Sequence, residues 1–165
     1  MKKKLGILIP ALLVAALVIG ILIYTRPMQL SEICGGADIN KIEAFQADYE
    51  LHPEDELVQC TIGQDDPRFL TLTLLLAGQR YRRTVWNIFP ETTKTHILQD
   101  GDFKWELGCV FPDLEMENGE HVSGTVIRVS DFYGKLEIQY LDRTWRCKTE
   151  NAWIDAVMDA ILAGA

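Results

Sequence analysis

An uncharged run of twenty residues, from Leu5 to Tyr24, restricts the fold of this chain more than any other feature. A helix of that length rises about 30 Å, the thickness of the hydrocarbon core of a bilayer. Two alternatives are a signal peptide that is cleaved and a lipid attached to Cys34. Each needs small residues at its processing site, and the sequence lacks them at both. Three lysines, Lys2 to Lys4, precede the run, and a single Arg26 follows it. This asymmetry predicts a retained single-pass anchor with its N-terminus in the cytoplasm.

These features divide the chain into four predicted parts. A basic cytoplasmic tail (1–4) leads into a transmembrane anchor (5–25), which contacts the lipid bilayer. A juxtamembrane segment with a short helix (26–38) connects the anchor to an extracytoplasmic domain (39–165). No internal repeat or long Pro/Gly/Ser linker interrupts the last part, so the sequence predicts one domain at the outer face of the cell membrane.

The acidic balance of the chain bears on its partners. The whole chain carries a formal charge of −8, from 16 basic and 24 acidic residues. Residues 28–165 exclude the three N-terminal lysines and Arg26. They contain the remaining 12 basic residues and all 24 acidic ones, so their formal charge is −12. Such a surface repels nucleic acid and anionic lipid headgroups. The sequence therefore predicts a solubilising surface or a cationic partner, and no nucleic acid.

Two-residue alternation predicts most of the domain as β-strands. Apolar residues alternate with polar ones in five segments: 42–51, 58–62, 103–111, 136–140 and 145–147. Residues 122–129 are rich in β-branched side chains, and Asn118-Gly119 is a tight-turn signal between strands. Tyr81–Ile88 is a further β-prone run. The later segments follow one another as antiparallel hairpins.

Two helices are predicted beside these strands. Residues 66–78 have strand-like Leu/Thr alternation, yet Asp66 followed by Pro67 is typical of a helix start, which favours a helix. At the C-terminus, six apolar side chains of 153–162 fall on one helical face, with Asp155 and Asp159 opposite. We expect Trp153 on that face to be a core residue. The predicted fold class is α+β, with a mostly antiparallel sheet, a middle helix and a C-terminal amphipathic helix.

The sequence contains no recognisable catalytic arrangement. The three serines (Ser31, Ser123 and Ser130) stand in neither an SxxK nor a GxSxG motif. Four cysteines are candidates for disulfides, with three pairings open: Cys34, Cys60, Cys109 and Cys147. The last three fall on apolar strand faces, which favours inert or bridged sulfurs over a catalytic thiol.

Metal and cofactor sites are not predicted either. The histidines His52, His96 and His121 are scattered, without a paired metal-ligand spacing. Two acidic stretches, "DGDFKWE" and "DLEMENGE", lack the carboxylate spacing and the central glycine of a calcium loop, so solvated loops are expected. No residue is therefore assigned to catalysis, to a cofactor or to a metal.

One basic cluster, "QRYRR", stands out on the acidic domain. Its arginines Arg80, Arg82 and Arg83 are candidate contacts for an anion, a partner protein of the envelope or a wall polymer, although pairing with nearby carboxylates is the plainer interpretation. The sequence thus favours a non-enzymatic binding or structural component of the cell envelope. The alternative is an envelope enzyme whose carboxylate or His/Cys site assembles only in three dimensions.

Overall fold

A computed structural model describes residues 2–50, 56–88, 105–115, 119, 121–132 and 135–163. Its helices are α1 (Lys2–Tyr24), α2 (Leu30–Ile33), α3 (Pro67–Gly78) and α4 (Asn151–Leu162), with 3-10 turns at Ile39–Lys41 and Val85–Ile88. Its strands are β1 (Pro27–Met28), β2 (Ala44–Tyr49), β3 (Val58–Gly63), β4 (Tyr81–Arg83), β5 (Trp105–Glu115), β6 (His121–Phe132), β7 (Lys135–Tyr140) and β8 (Arg143–Lys148). The predicted α+β class with an antiparallel sheet is confirmed.

All the described strands belong to one sheet, in the order β1-β4-β8-β7-β6-β5-β2-β3, and every neighbouring pair is antiparallel. Strands β5 to β8 form the successive hairpins that the alternating sequence predicts. Strand β2 then pairs with β5 and β3 with β2, which extends the sheet on one side. The short strands β4 and β1 extend it on the other side, next to β8.

The predicted transmembrane anchor over residues 5–25 is wrong. Among the described residues, no helix combines the length and the apolar character needed to cross a membrane. The single-pass localisation, with an extracytoplasmic domain, is corrected by the same finding.

Helix α3 confirms the helical interpretation of residues 66–78. The Asp66 carboxylate accepts a hydrogen bond from the Arg68 backbone N–H at 2.9 Å, and Pro67 occupies the first turn, where no donor is required. The Arg68 guanidinium pairs with the same carboxylate at 2.7 Å and donates to the Ile161 carbonyl at 2.9 Å. One arginine thus joins the start of α3 to the end of α4.

Helix α4 packs its apolar face on the sheet and on α3, and the expected core position of Trp153 is confirmed. Trp153 is 7% exposed, and its indole N–H donates to the Leu75 carbonyl at 2.9 Å. Its ring meets the rings of Tyr81 and Trp105 edge to face, with centroids 5.4 and 6.2 Å apart. The core therefore lies between α3, α4 and one face of the sheet.

The predicted strand Tyr81–Ile88 is wrong in its extent. Strand β4 ends at Arg83, and a 3-10 turn follows. The Thr84 N–H still donates to the Arg146 carbonyl at 3.0 Å, and beyond it the amide side chain of Asn87 takes over, because it donates to the same carbonyl and accepts from the Arg146 N–H, both at 2.8 Å. A side chain thus satisfies the β8 backbone where β4 stops.

Candidate functional site

The three arginines of the basic cluster lie at the β1–β4 side of the sheet. Arg80 precedes β4, and Arg82 lies within it, paired in register with Pro27 of β1 and Lys148 of β8. Tyr81 between them is fully buried against Trp153, so β4 directs Tyr81 toward the helices and Arg82 away from them. Arg80 and Arg82 line one surface pocket, and Arg83 does not.

This pocket, called the basic pocket below, has a volume of about 520 Å³. It lies where the turn from α3 into β4 approaches the turn from β8 into α4, and its lining is Pro27, Gly78–Arg80, Arg82 and Lys148–Glu150. A hydrogen bond from the Gln79 amide to the Thr149 hydroxyl ties the two turns together. The pocket is therefore bordered by two connected turns on strands that are themselves paired.

The charges around the basic pocket are mostly positive and exposed. Arg80, Arg82 and Lys148 are its cations, and Glu150 is its single carboxylate. Within the described ranges no ion pair involves any of these three cations. Four other arginines do pair with carboxylates, namely Arg26, Arg68, Arg128 and Arg146. Pairing with neighbouring acids, the plainer interpretation of the cluster, thus does not account for Arg80 and Arg82 among the described residues.

Arg83 occupies a different environment. Its guanidinium lies 4.9 Å from the centre of the Tyr24 ring, and one of its N–H groups contacts the Met28 sulfur at 3.0 Å. Its Nε is buried without a hydrogen-bond partner in the part of the chain that the structure describes. A cation over an aromatic face is stabilising. Arg83 therefore connects the end of α1 to the sheet, apart from the basic pocket.

The structure also brings together a carboxylate pair that the sequence reasoning missed. Asp48 of β2 and Glu106 of β5 are direct cross-strand neighbours, and Arg128 of β6 lies 3.5 Å from the Glu106 carboxylate. Burial raises the pKa of Glu106, Arg128 opposes that shift, and Asp48 adds to it. Burial also raises the pKa of Asp48, and Arg128 opposes it. Only the strand register could have revealed this pair, since 58 positions separate the two acids.

No disulfide joins the four cysteines in this structure. Their candidate disulfides stay a prediction. Cys34, Cys109 and Cys147 are buried, while Cys60 is partly exposed on β3. Burial raises the pKa of Cys109 and of Cys147 to about 12, and it raises that of Cys34 as well. At neutral pH these three sulfurs are therefore protonated, which disfavours a nucleophilic role.

The remaining candidates contribute no assembled centre. His121 is exposed, and its Nδ1 lies 2.7 Å from an Asp113 carboxylate oxygen. His52 and His96 lie outside the described residues, as do most residues of the two acidic stretches. Among the residues described, no group of three or more His, Cys, Asp or Glu side chains is arranged to hold a metal ion.

Sequence reasoning found only part of the basic pocket. It identified Arg80 and Arg82, but not Lys148 or Glu150, because nothing in the sequence connects these two to the arginine cluster. Strand pairing between β4 and β8 makes the connection. Comparison of the chain with protein-family models, with characterised proteins and with solved structures gave no match in any of the three.

Proposed function

We propose that this chain is a binding protein whose basic pocket receives an anionic group of its ligand. The observation that carries the proposal is the convergence of Arg80, Arg82 and Lys148 on one cavity, without a described carboxylate partner for any of them. Three neighbouring cations that no described carboxylate neutralises have an unused capacity for an anion. The ligand would supply the missing negative charge.

The geometry favours an extended ligand with more than one negative group. Arg80 and Arg82 are two residues apart, a separation of roughly 7 Å along an extended chain. Each guanidinium can hold a carboxylate or phosphate through two parallel hydrogen bonds, and Lys148 adds a point charge beside Arg82. We therefore propose an anionic polymer, or an acidic segment of a partner protein, as the ligand.

An enzymatic function has weaker support. Glu106, with its raised pKa and its Asp48 neighbour, is the described group most suited to acid–base chemistry. Glu106 is already paired with Arg128, and it does not line the basic pocket. A substrate needs a concave site beside such a carboxylate. The binding function is therefore preferred over the carboxylate enzyme.

Binding of polyglutamate and of inorganic polyphosphate to the full-length chain tests the proposal. The double variant Arg80→Gln/Arg82→Gln should weaken binding by about tenfold or more, because it removes both bidentate donors. Arg143→Gln/Lys41→Gln is the matched control, since it removes the same charge from exposed positions that do not line the basic pocket. Isothermal titration calorimetry at two salt concentrations measures both.

A single substitution of the opposite sign sharpens this test. Glu150→Gln removes the one carboxylate of the basic pocket and should strengthen polyanion binding by a few fold. Equal weakening by the Arg80/Arg82 variant and by the Arg143/Lys41 control would show binding to general positive charge and contradict the proposal. Absence of any saturable binding by the unchanged protein would contradict it as well.

A further inference from the structure

Strand β3 forms the edge of the sheet opposite the basic pocket, and no other described strand pairs with its outer side. Its six residues pair with β2 without a register shift. Within the described residues, its only other backbone hydrogen bond is the turn from the Asp66 N–H to the Gly63 carbonyl. An edge strand presents N–H and C=O groups that another strand can pair with. The outer side of β3 is therefore a template for one more strand.

Edge strands are usually protected against such pairing by charge, proline or a bulge, and β3 has none of these. The other edge of the sheet shows the contrast. Strand β1 is only two residues long, and Pro27 has no N–H to offer. The two edges of the described sheet therefore differ, because β3 offers six residues for pairing and β1 offers two.

The charges that flank β3 indicate what can pair there. Glu56 precedes the strand and Asp65 follows it, and both are exposed. The neighbouring Asp66 is already neutralised by Arg68 at 2.7 Å. Antiparallel pairing with a second copy of this chain would bring Glu56 of one copy toward Asp65 of the other at each end. Like charges in those positions oppose self-association.

From these observations we infer that β3 binds an extended segment of a partner protein by strand addition. The segment carries a basic residue at each end of eight uncharged residues, so that its charges lie opposite Glu56 and Asp65. It runs antiparallel to β3, as every pair in this sheet does. This surface is separate from the basic pocket, so the inference does not depend on the proposed anion binding.

The side chains of β3 specify the pattern of that segment further. Val58, 38% exposed, and the partly exposed Cys60 stand on the side of the buried Ala47 and Tyr49, with which they pair. Gln59 is exposed on the opposite side. A partner strand therefore places apolar side chains beside Val58 and Cys60 and polar ones beside Gln59, in alternation.

A synthetic peptide tests the inference on the full-length chain. The probe is a ten-residue fluorescein-labelled peptide with eight alternating threonines and valines between two lysines. We expect saturable one-to-one binding by fluorescence anisotropy. Alternate backbone N–H groups of the bound peptide point toward β3 and donate hydrogen bonds to its carbonyls. N-methylation of those amides should abolish binding, while methylation of the other set should not. Both methylation registers are synthesised for this reason.

Charge reversal provides the specific arm of the test. The variant Glu56→Lys/Asp65→Lys should weaken the lysine-ended peptide by about five- to thirtyfold and strengthen a glutamate-ended peptide. The control Asp142→Lys/Asp159→Lys changes the same charge at exposed positions that do not flank β3 in the sequence, and it should leave both affinities within about twofold.

Several outcomes would overturn the inference. These are no saturable binding up to millimolar peptide, equal binding of both methylated peptides, or no response to the charge reversal. A dimer in sedimentation experiments that Thr61→Lys converts to a monomer would assign the edge to a second copy instead, since a lysine on an edge strand blocks pairing. Thr71→Lys, on the exposed side of α3, is its control.

Discussion

The two faces of the sheet carry adjacent rows of residues with opposite roles. On the face covered by the helices, one row across four strands is Trp105, Asp131, Leu136 and Cys147, all buried. One residue along, the row on the opposite face is Asp48, Glu106, Ser130, Glu137 and Arg146, of which Glu106 and Ser130 are buried. Both rows share a backbone and a register. The pleat alone separates apolar packing on one face from ion pairs on the other.

The two faces should therefore respond to different perturbations. The covered face contributes stability through buried area, so loss of volume there is costly. The opposite face has its own ion pairs, Glu106 with Arg128 at 3.5 Å and Glu137 with Arg146 at 3.0 Å. Such pairs contribute less and respond to pH and salt. Substitutions at Trp153, Gly108, Glu106 and Arg128 test this comparison.

The largest expected effect is on the covered face. Trp153→Ala removes a buried indole that contacts two aromatic rings, and it should lower the free energy of unfolding by roughly 3–5 kcal/mol. Chemical denaturation followed by circular dichroism measures it. Asp159→Ala, on the exposed side of the same helix, is the control and should change stability by less than about 0.5 kcal/mol. A small effect at Trp153 would remove the energetic difference between the faces.

A smaller effect is expected where two strands approach closely at Gly108. A Cβ atom there would lie 2.8 Å from the Thr125 methyl group, too close for ordinary contact. Gly108→Ala should therefore destabilise by about 1–3 kcal/mol. Adding Thr125→Ser removes that methyl while keeping the hydroxyl that donates to Gln46 at 2.7 Å, and it should restore part of the loss. Gly63→Ala is the control, because a Cβ added there would meet no atom within 4 Å.

The smallest effect is the pH dependence that Glu106 produces. Its folded-state pKa is raised by burial above the ordinary 4.5, so the folded protein binds more protons than the unfolded chain just above that value. The contribution of Glu106 to stability is therefore fully present below pH 4.5 and decreases as pH rises through the folded-state pKa. Denaturation of the unchanged protein and of Glu106→Gln between about pH 4 and 8 measures the difference.

Removal of the neighbouring cation sharpens that measurement. Arg128 lowers the pKa of Glu106, so Arg128→Gln should raise it further and extend the decline in stability to higher pH. Superimposable pH profiles for the unchanged protein and Glu106→Gln would show that the Glu106 carboxylate is solvated like any surface acid. The electrostatic half of the comparison would then be wrong.

Much of the fold was predictable because its signals are local. Asp66 and Pro67 indicated the start of α3, and the apolar stripe from Trp153 to Leu162 indicated the buried face of α4. Alternation indicated most long strands. The extent of β4 was not predictable, because the side chain of Asn87 satisfies the β8 backbone in place of a longer strand. The membrane anchor was predicted from the uncharged run and the lysines before it, but no described helix is long and apolar enough to cross a membrane.

Local sequence specifies which residues alternate, which cap a helix and which face of α4 is apolar, since these properties depend on neighbours within one or two turns. The contacts of Lys148 with Arg82 and of Glu106 with Asp48, and the edge position of β3, depend instead on how distant strands pair. Strand alternation cannot specify them, because a period of two residues defines faces but not partners. Pairing between distant strands is selected by the packing of the whole core.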